Sequence, residues 1–223
     1  MTTQKLTKVV VGEDGVPLNF SGEADVGAIG GKNASVKVGM VGVAYAGAGG
    51  IAEVGPYSIA IVAGSGQAIG GSGSVVCAYE RGSARGGDFA TVWARRNGTA
   101  DVGRFGLASA QDANATGGRA SVAMVLRRGS AGATATASSE GIAVVRSHES
   151  LSTGSRPAIA YSNTGGIAVA FDGNSVKGDV GALLVASYKN DGQIRFAVGV
   201  VDNVTLMANQ TYACDTNGAF VAV

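Results

Sequence analysis

The sequence predicts an all-β protein: a flattened parallel β-solenoid with about 16 residues per coil, two strands per coil and a small antiparallel C-terminal cap. Two observations predict it. Ala or Val recurs every eight positions from Ala28 to Ala108, and Gly, Ala or Val follows each of them two positions later. Side chains two apart share one face of a strand, so both columns face inward. The flanking outward residues are apolar and polar in alternate octads, so two octads make one coil.

The octad period itself argues against helix. Gly, Ser and Thr occur throughout the repeat, which leaves no lasting apolar stripe at 3.6-residue spacing. Gly-rich corners such as Gly55-Pro56-Tyr57-Ser58 separate the strands, since glycine adopts positive φ without a Cβ clash. The inward Gly, Ala and Val side chains predict walls that lie close together.

Residues 1–23 are predicted to form an N-terminal cap. Residues 6–11 read as a strand, 12–15 as a turn and 16–20 as the returning strand. A solenoid needs such a cap because its first coil otherwise presents unpaired strand edges.

The solenoid is predicted over residues 24–178, as about ten coils. The inward ladder reaches Thr116, loses one residue, resumes at Ala123 and continues to Ala131. An irregular stretch at 146–156 interrupts it before the octads return. We expect the outward apolar residues to stay on one side through these interruptions.

Residues 179–223 are predicted to form the antiparallel cap. Residues 183–188 and 194–201 flank Asn-Asp-Gly and read as a β-hairpin. Residues 204–207 and 210–214 add shorter strands. Larger side chains occur here than in the repeat.

Composition limits the class of protein. The chain has 223 residues, 37 of them Gly, a net charge of +1 and abundant Ala and Val, which together favour a folded domain over a disordered one. Its only cysteines, Cys77 and Cys214, lie far apart, so no disulfide framework is expected. No basic, apolar leader or membrane-length segment is visible. We therefore expect a cytoplasmic protein with no membrane partner and no cofactor.

Two octads resemble known repeat proteins: Ser58-Ile59-Ala60-Ile61 and Gly141-Ile142-Ala143-Val144. They are similar to the β-roll heads of trimeric autotransporter adhesins. The chain as a whole more closely resembles uncharacterised Gly/Ala/Ser-repeat solenoid proteins of phages and prophages. That resemblance implies a non-enzymatic protein-binding solenoid, an inhibitor, immunity or counter-defence protein acting by steric contact, in the host cytoplasm if phage-encoded. The alternative is a structural phage tail or adhesin module assembled as a trimer.

An outward apolar stripe is the main candidate site. A long exposed apolar patch is rare in monomers, and Trp, Tyr and Met favour interface cores. We expect self-association as a dimer or trimer, or a protein partner; the alternatives are that the inward and outward faces are swapped or that a cap covers the stripe. The stripe comprises Tyr45, Ile59, Ile61, Val75, Cys77, Trp93, Leu107, Val122, Met124, Ile142, Val144, Ile159 and Tyr161.

Arginines concentrate in the turns that follow the apolar strands. Guanidinium groups suit phosphate or carboxylate partners, although a solvated edge is the simpler interpretation. Net charge near zero makes nucleic acid an unlikely partner. This possible anionic-partner edge comprises Arg81, Arg95, Arg96, Arg127, Arg128 and Arg146.

Three aromatic residues, Tyr57, Phe89 and Phe105, occupy the opposite corner. They are predicted either to contact a partner or to pack over the thin solenoid. His148 is the only histidine, and its sequence neighbours provide neither a triad geometry nor a set of metal ligands. The sequence therefore predicts no catalytic residue and no metal site.

Overall fold

A computed structural model describes residues 8–127, 132–147 and 157–223. Every regular element in these ranges is a β-strand. Most neighbouring strands within a sheet are parallel, and most consecutive strands along the chain belong to opposite sheets. The predicted all-β class, the coil of two strands and the spacing of about 16 residues per coil are confirmed. The chain divides into two compact units, Met1–Gly106 and Leu107–Val223.

The first unit contains two parallel sheets. Its odd-numbered strands form one sheet, the odd sheet, and its even-numbered strands form the other, the even sheet. Ala44 pairs with Ala28 in the preceding coil and with Ala60 in the next, as a regular coil requires. The strands are β1 (Lys8–Val11), β2 (Leu18–Phe20), β3 (Val26–Gly30), β4 (Ser35–Val38), β5 (Val43–Ala46), β6 (Ile51–Val54), β7 (Ile59–Val62), β8 (Gln67–Gly70), β9 (Val75–Ala78), β10 (Ser83–Gly86), β11 (Thr91–Ala94) and β12 (Thr99–Val102).

The core of this unit consists of the predicted inward columns. Ala60 and Val92 are fully buried, whereas their neighbours Ile59 and Trp93 are exposed. The assignment of inward and outward faces is therefore correct. Because the interior side chains are so small, the two sheets pack closely without large residues between them.

The corners are held by local hydrogen bonds. The Gly42 N–H donates to Ser58 Oγ at 3.0 Å, and this hydroxyl donates to the Pro56 carbonyl at 2.9 Å. Gly49 and Gly73 have positive φ in the turns between strands, as the sequence predicts for corner glycines.

The N-terminal segment differs from the prediction. β1 pairs in parallel with β3, and β2 pairs in parallel with β4. Residues 18–20 therefore belong to the other sheet and do not return beside residues 8–11. This segment forms the first coil of the solenoid instead of a separate cap, because its two strands pair with the two strands of the next coil in the same parallel way as later coils do.

The second unit has four parallel coils followed by antiparallel strands. β22 extends its odd sheet beside β21, and β23 and β24 extend its even sheet. The predicted C-terminal hairpin is thus present, and β21 also pairs in parallel with β19. The strands are β13 (Leu107–Gln111), β14 (Ala115–Gly117), β15 (Val122–Arg127), β16 (Thr134–Ala137), β17 (Ile142–Ser147), β18 (Ile159–Ser162), β19 (Ile167–Ala170), β20 (Ser175–Gly178), β21 (Leu183–Asn190), β22 (Gln193–Val200), β23 (Thr211–Cys214) and β24 (Phe220–Ala222).

The inward ladder shifts by one residue at the start of this unit. Ala115 is buried and pairs with Ala135, while Thr116 is exposed. The prediction that Thr116 faces inward is wrong, because the connection from β13 to β14 is one residue shorter than a regular corner. The predicted ladder position Ala131 lies outside the described residues.

Residues 204–207 form a capped turn instead of the predicted strand. The N–H groups of Val204, Thr205 and Leu206 donate to Asp202 Oδ1 at 2.8, 2.7 and 3.2 Å. These hydrogen bonds, first that from Val204, hold the pKa of the Asp202 carboxyl below its ordinary value of 3.8.

Replacing Asp202 is expected to lower stability in a pH-dependent way. A lowered folded-state pKa contributes stability above pH 3.8 that is lost as the pH falls through the folded value. Asp202→Ala should therefore lower Tm at neutral pH, with a gap to wild type that narrows in strong acid. Asp202→Asn keeps the acceptor oxygen and should lose less. Thermal unfolding followed by circular dichroism checks this, and a gap independent of pH would contradict it.

Candidate interaction surface

The odd sheet of the first unit presents an apolar outer surface, here called the first apolar face. Each strand contributes two outward positions, and among them only Gly27, Cys77 and Thr91 are not large apolar residues. Six residues of the predicted stripe lie here, and β1, β3 and β5 add four that the predicted stripe omitted. The face comprises Val9, Val11, Ile29, Val43, Tyr45, Ile59, Ile61, Val75, Cys77 and Trp93.

The even sheet of the same unit has a different outer surface. Lys37 Nζ lies 2.7 Å from Glu53 Oε2 in the next coil, and Arg85 Nε lies 3.4 Å from Asp101 Oδ2. These opposite charges are cross-strand neighbours and compensate one another. This surface is suited to water, whereas the first apolar face is not.

The odd sheet of the second unit presents a second apolar face. Leu107, Val122, Met124, Ile142 and Val144 of the predicted stripe lie on it. Leu126 of β15 and residues of β19, β21 and β22 extend it, and sequence reasoning missed them. These additional residues are Leu126, Ile167, Val169, Leu183, Val185, Ile194, Phe196, Val198 and Val200.

Ile159 and Tyr161 do not lie on this face. They belong to β18, which pairs with β16 and β20 in the even sheet. The prediction that they continue the stripe is wrong. The connection after β17 is longer than an octad corner, and the strand that follows it, β18, belongs to the opposite sheet. The Ile167-Ala168-Val169 alternation, one octad later, was the available signal.

Tyr161 has polar partners on the even sheet. Its hydroxyl donates to Asp179 Oδ1 at 3.0 Å, and Lys177 Nζ lies 5.6 Å from its ring centroid. Burial, and then the Asp179 carboxylate, raise the pKa of the Tyr161 hydroxyl. Tyr161 is therefore part of a polar cluster.

Cys77 behaves as an apolar member of the first apolar face. Burial raises the pKa of its thiol, so the sulfur stays protonated and weakly nucleophilic at neutral pH. In the next coil, Trp93 packs edge-on against Tyr79 with centroids 5.9 Å apart. The side chains of this region therefore contribute apolar packing and no activated thiol.

The predicted arginine edge is only partly assembled. Arg81 and Arg96 line a groove of about 460 Å³ together with Glu80, and Arg96 Nη1 lies 2.6 Å from Glu80 Oε1. Arg95 is half-buried beside them. Arg146 is exposed on β17 of the second unit, whereas the Arg127 side chain and Arg128 lie outside the described part of the structure. The carboxylate in the groove compensates one of its two charges, which favours the solvated-edge interpretation.

The three aromatic residues of the opposite corner project into solvent. Tyr57, Phe89 and Phe105 are 54–70% exposed. The Tyr57 ring lies against Gly73 of the next coil, so it packs over the surface of the corner while most of it stays in solvent. Phe89 and Phe105 stack with centroids 5.3 Å apart. Beside them, Arg104 pairs with Asp88 in the preceding coil at 2.8 Å and lowers the pKa of that carboxyl. The positive φ of all three aromatics turns their side chains outward.

Residues 8–127, 132–147 and 157–223 contain no group of three His, Cys, Asp or Glu side chains that could hold a metal ion. His148 lies outside these ranges. Within them, no helix is long and apolar enough to cross a membrane.

The two apolar faces are therefore the surfaces that best fit a binding role.

Comparison of the chain with known protein families, curated proteins and solved structures finds no match.

Proposed function

We propose that this protein is a non-enzymatic protein-binding solenoid that self-associates through the apolar faces of its odd sheets. The difference between the two sheets of one coil supports the proposal. The even sheet of the first unit pairs its outward charges, whereas the odd sheet exposes large apolar side chains on successive strands. Monomers rarely leave such surfaces in water.

The size of the second apolar face supports a second copy as the partner. Six strands about 4.8 Å apart and about 20 Å long cover roughly 570 Å². Packing this face against the same face of another copy removes roughly 1,100 Å² from water, which reaches the area that a specific interface needs. Both sides of this contact are the second apolar face, one from each copy, so the contact is self-complementary.

A matched pair of variants tests the proposal. Ile59 and Ile51 occupy the same octad position, are 39% and 37% exposed, and lie on opposite sheets of the first unit. Ile59→Glu should lower the mass measured by light scattering, because a buried interface disfavours an unpaired carboxylate. Trp93→Glu should do the same. Ile51→Glu should leave the mass of the wild-type assembly unchanged.

Cys77 provides a second measurement. In the assembled wild-type protein a neutral alkylating reagent should modify Cys77 more slowly than in Ile59→Glu, since both residues lie on the first apolar face. Equal mass in Ile59→Glu and wild type, together with equal Cys77 reactivity, would refute contact through this face.

The stoichiometry separates the uses that the resemblance implies. An assembly of three copies would favour the structural tail or adhesin module. A dimer that also captures a foreign protein would favour the inhibitor, immunity or counter-defence role.

A further inference from the structure

Strand β22 ends the odd sheet of the second unit and presents an open hydrogen-bonding edge. It pairs with β21 over its whole length, from Gln193 opposite Asn190 to Val200 opposite Leu183. Among the described residues no second strand pairs with it. The N–H and C=O groups along its other edge therefore have no strand to pair with among these residues.

The direction of each backbone group in β22 follows from its pairing. Just beyond the strand, the Val201 N–H donates to the Ala182 carbonyl at 3.0 Å. Hydrogen-bonded pairs alternate along an antiparallel ladder, so the odd-numbered residues of 193–199 also bond to β21. The even-numbered residues direct their N–H and C=O groups to the open edge. These residues are Ile194, Phe196, Val198 and Val200.

The open edge has little of the usual protection. The four even-numbered side chains belong to the second apolar face and are 50–62% exposed. Edge strands in monomers are commonly shielded by Lys, Pro or a bulge. β22 contains none of these, and its one charged residue, Arg195, lies on the opposite side of the sheet. Such an edge is suited to hydrogen bonding with a strand of another molecule.

We propose that β22 pairs antiparallel with β22 of a second copy, about a two-fold axis that passes beside Ala197. In this register Phe196 lies opposite Val198, and Ile194 lies opposite Val200, of the other copy. All open groups of the even-numbered residues are then satisfied, by about eight hydrogen bonds. Aromatic and β-branched cross-strand pairs are favourable. Arg195 meets Gly199 of the other copy, so no like charges oppose one another.

This pairing specifies how two copies of the proposed assembly meet. It rests on the proposed function only in taking a second copy as the partner. A two-fold axis perpendicular to the sheet keeps both second apolar faces on the same side. Edge pairing therefore joins two six-stranded faces into one twelve-stranded apolar surface. That surface offers the face contact twice the area of one copy.

The first test uses the Ile59→Glu/Ile142→Glu chain, in which contacts through both apolar faces are weakened, because Ile59 lies on the first apolar face and Ile142 on the second. The Val198 N–H points to the open edge, so Val198→Pro takes no hydrogen bond from β21. Val198→Thr keeps both the N–H and the β-branched shape. In light scattering, Ile59→Glu/Ile142→Glu should be a dimer, the added Val198→Thr should remain a dimer, and the added Val198→Pro should be a monomer.

The outcomes separate the two proposals. A monomeric Ile59→Glu/Ile142→Glu protein would overturn edge pairing while supporting the face contact. Unchanged mass in Ile59→Glu/Ile142→Glu, with a loss only on Val198→Pro, would overturn the face contact while supporting edge pairing. Equal mass for Val198→Pro and Val198→Thr, a trimer, or a mass that rises without limit with concentration would overturn the two-fold pairing.

Cross-linking tests the register. The two copies of Ala197 form a non-hydrogen-bonded pair with Cα atoms about 4.5 Å apart, within disulfide range. In a chain carrying Cys77→Ala and Cys214→Ser, Ala197→Cys should give an oxidised dimer. Ser187→Cys on β21 is the control, since three strand spacings of about 14 Å separate its copies. Cross-linking at 187 and none at 197 would contradict the register.

Discussion

Ala60→Asp is expected to unfold the first unit. The Ala60 side chain is fully buried between the sheets and pairs along the odd sheet with Ala44 and Val76. A carboxylate there has no counter-charge, and leaving an unpaired charge buried costs roughly 3–5 kcal/mol. Overpacking between closely spaced walls adds to this cost. The total is a large fraction of the roughly 5–15 kcal/mol that stabilises a domain. Circular dichroism and urea unfolding should show loss of the cooperative transition.

The control lies one residue along the same strand. Ile61 points outward on the first apolar face, so Ile61→Asp should keep the fold and the urea midpoint of wild type while lowering the mass of the assembly. If both variants unfold, or if Ile61→Asp unfolds and Ala60→Asp does not, the assignment of inward and outward faces fails.

Gly66→Ala is expected to be nearly as damaging, for a backbone reason. A Cβ at Gly66 would lie 2.3 Å from the Gly50 carbonyl oxygen and 2.5 Å from Val62 Cγ2. That oxygen is held in place because it accepts the N–H of Gln67 at 3.0 Å. Relieving the clash therefore disrupts pairing between coils, and we expect a loss of about 3 kcal/mol, at the upper end for overpacking. The urea midpoint measures it.

Gly22→Ala is the matched control for this substitution. Nothing lies within 4 Å of a Cβ at Gly22, and its φ is not in the left-handed region. Its stability should stay within about 0.5 kcal/mol of wild type. Gly→Ala lowers the entropy of the unfolded chain and by itself stabilises the fold. A similar loss in both variants would therefore contradict the clash between coils as the cause.

The regular part of the fold was predictable because each residue of the octad has one environment. From Ala28 to Ala108, period and side-chain size together determine which side chains are buried. The C-terminal hairpin was also predictable, since Asp191 and Gly192 both adopt the positive φ that a two-residue turn requires.

The errors arose where the period breaks. A connection one residue shorter moved Thr116 outward, and a longer one moved Ile159 and Tyr161 to the even sheet. In a coil with two similar strands, sequence alternation alone does not tell which sheet a strand joins after an irregular connection. The exposed edge of β22 depends on where the sheet ends, and no local pattern encodes that position.

The small interior side chains have a thermodynamic consequence. A core of Ala, Gly and Val removes little hydrocarbon surface from water per residue, while the ladders between coils remove many peptide groups. Apolar exposure raises the heat capacity on unfolding and polar exposure lowers it. The unfolding heat capacity change per residue should therefore be smaller than that of a typical globular domain. Such a molecule keeps a nearly constant stability over a wide range of temperature.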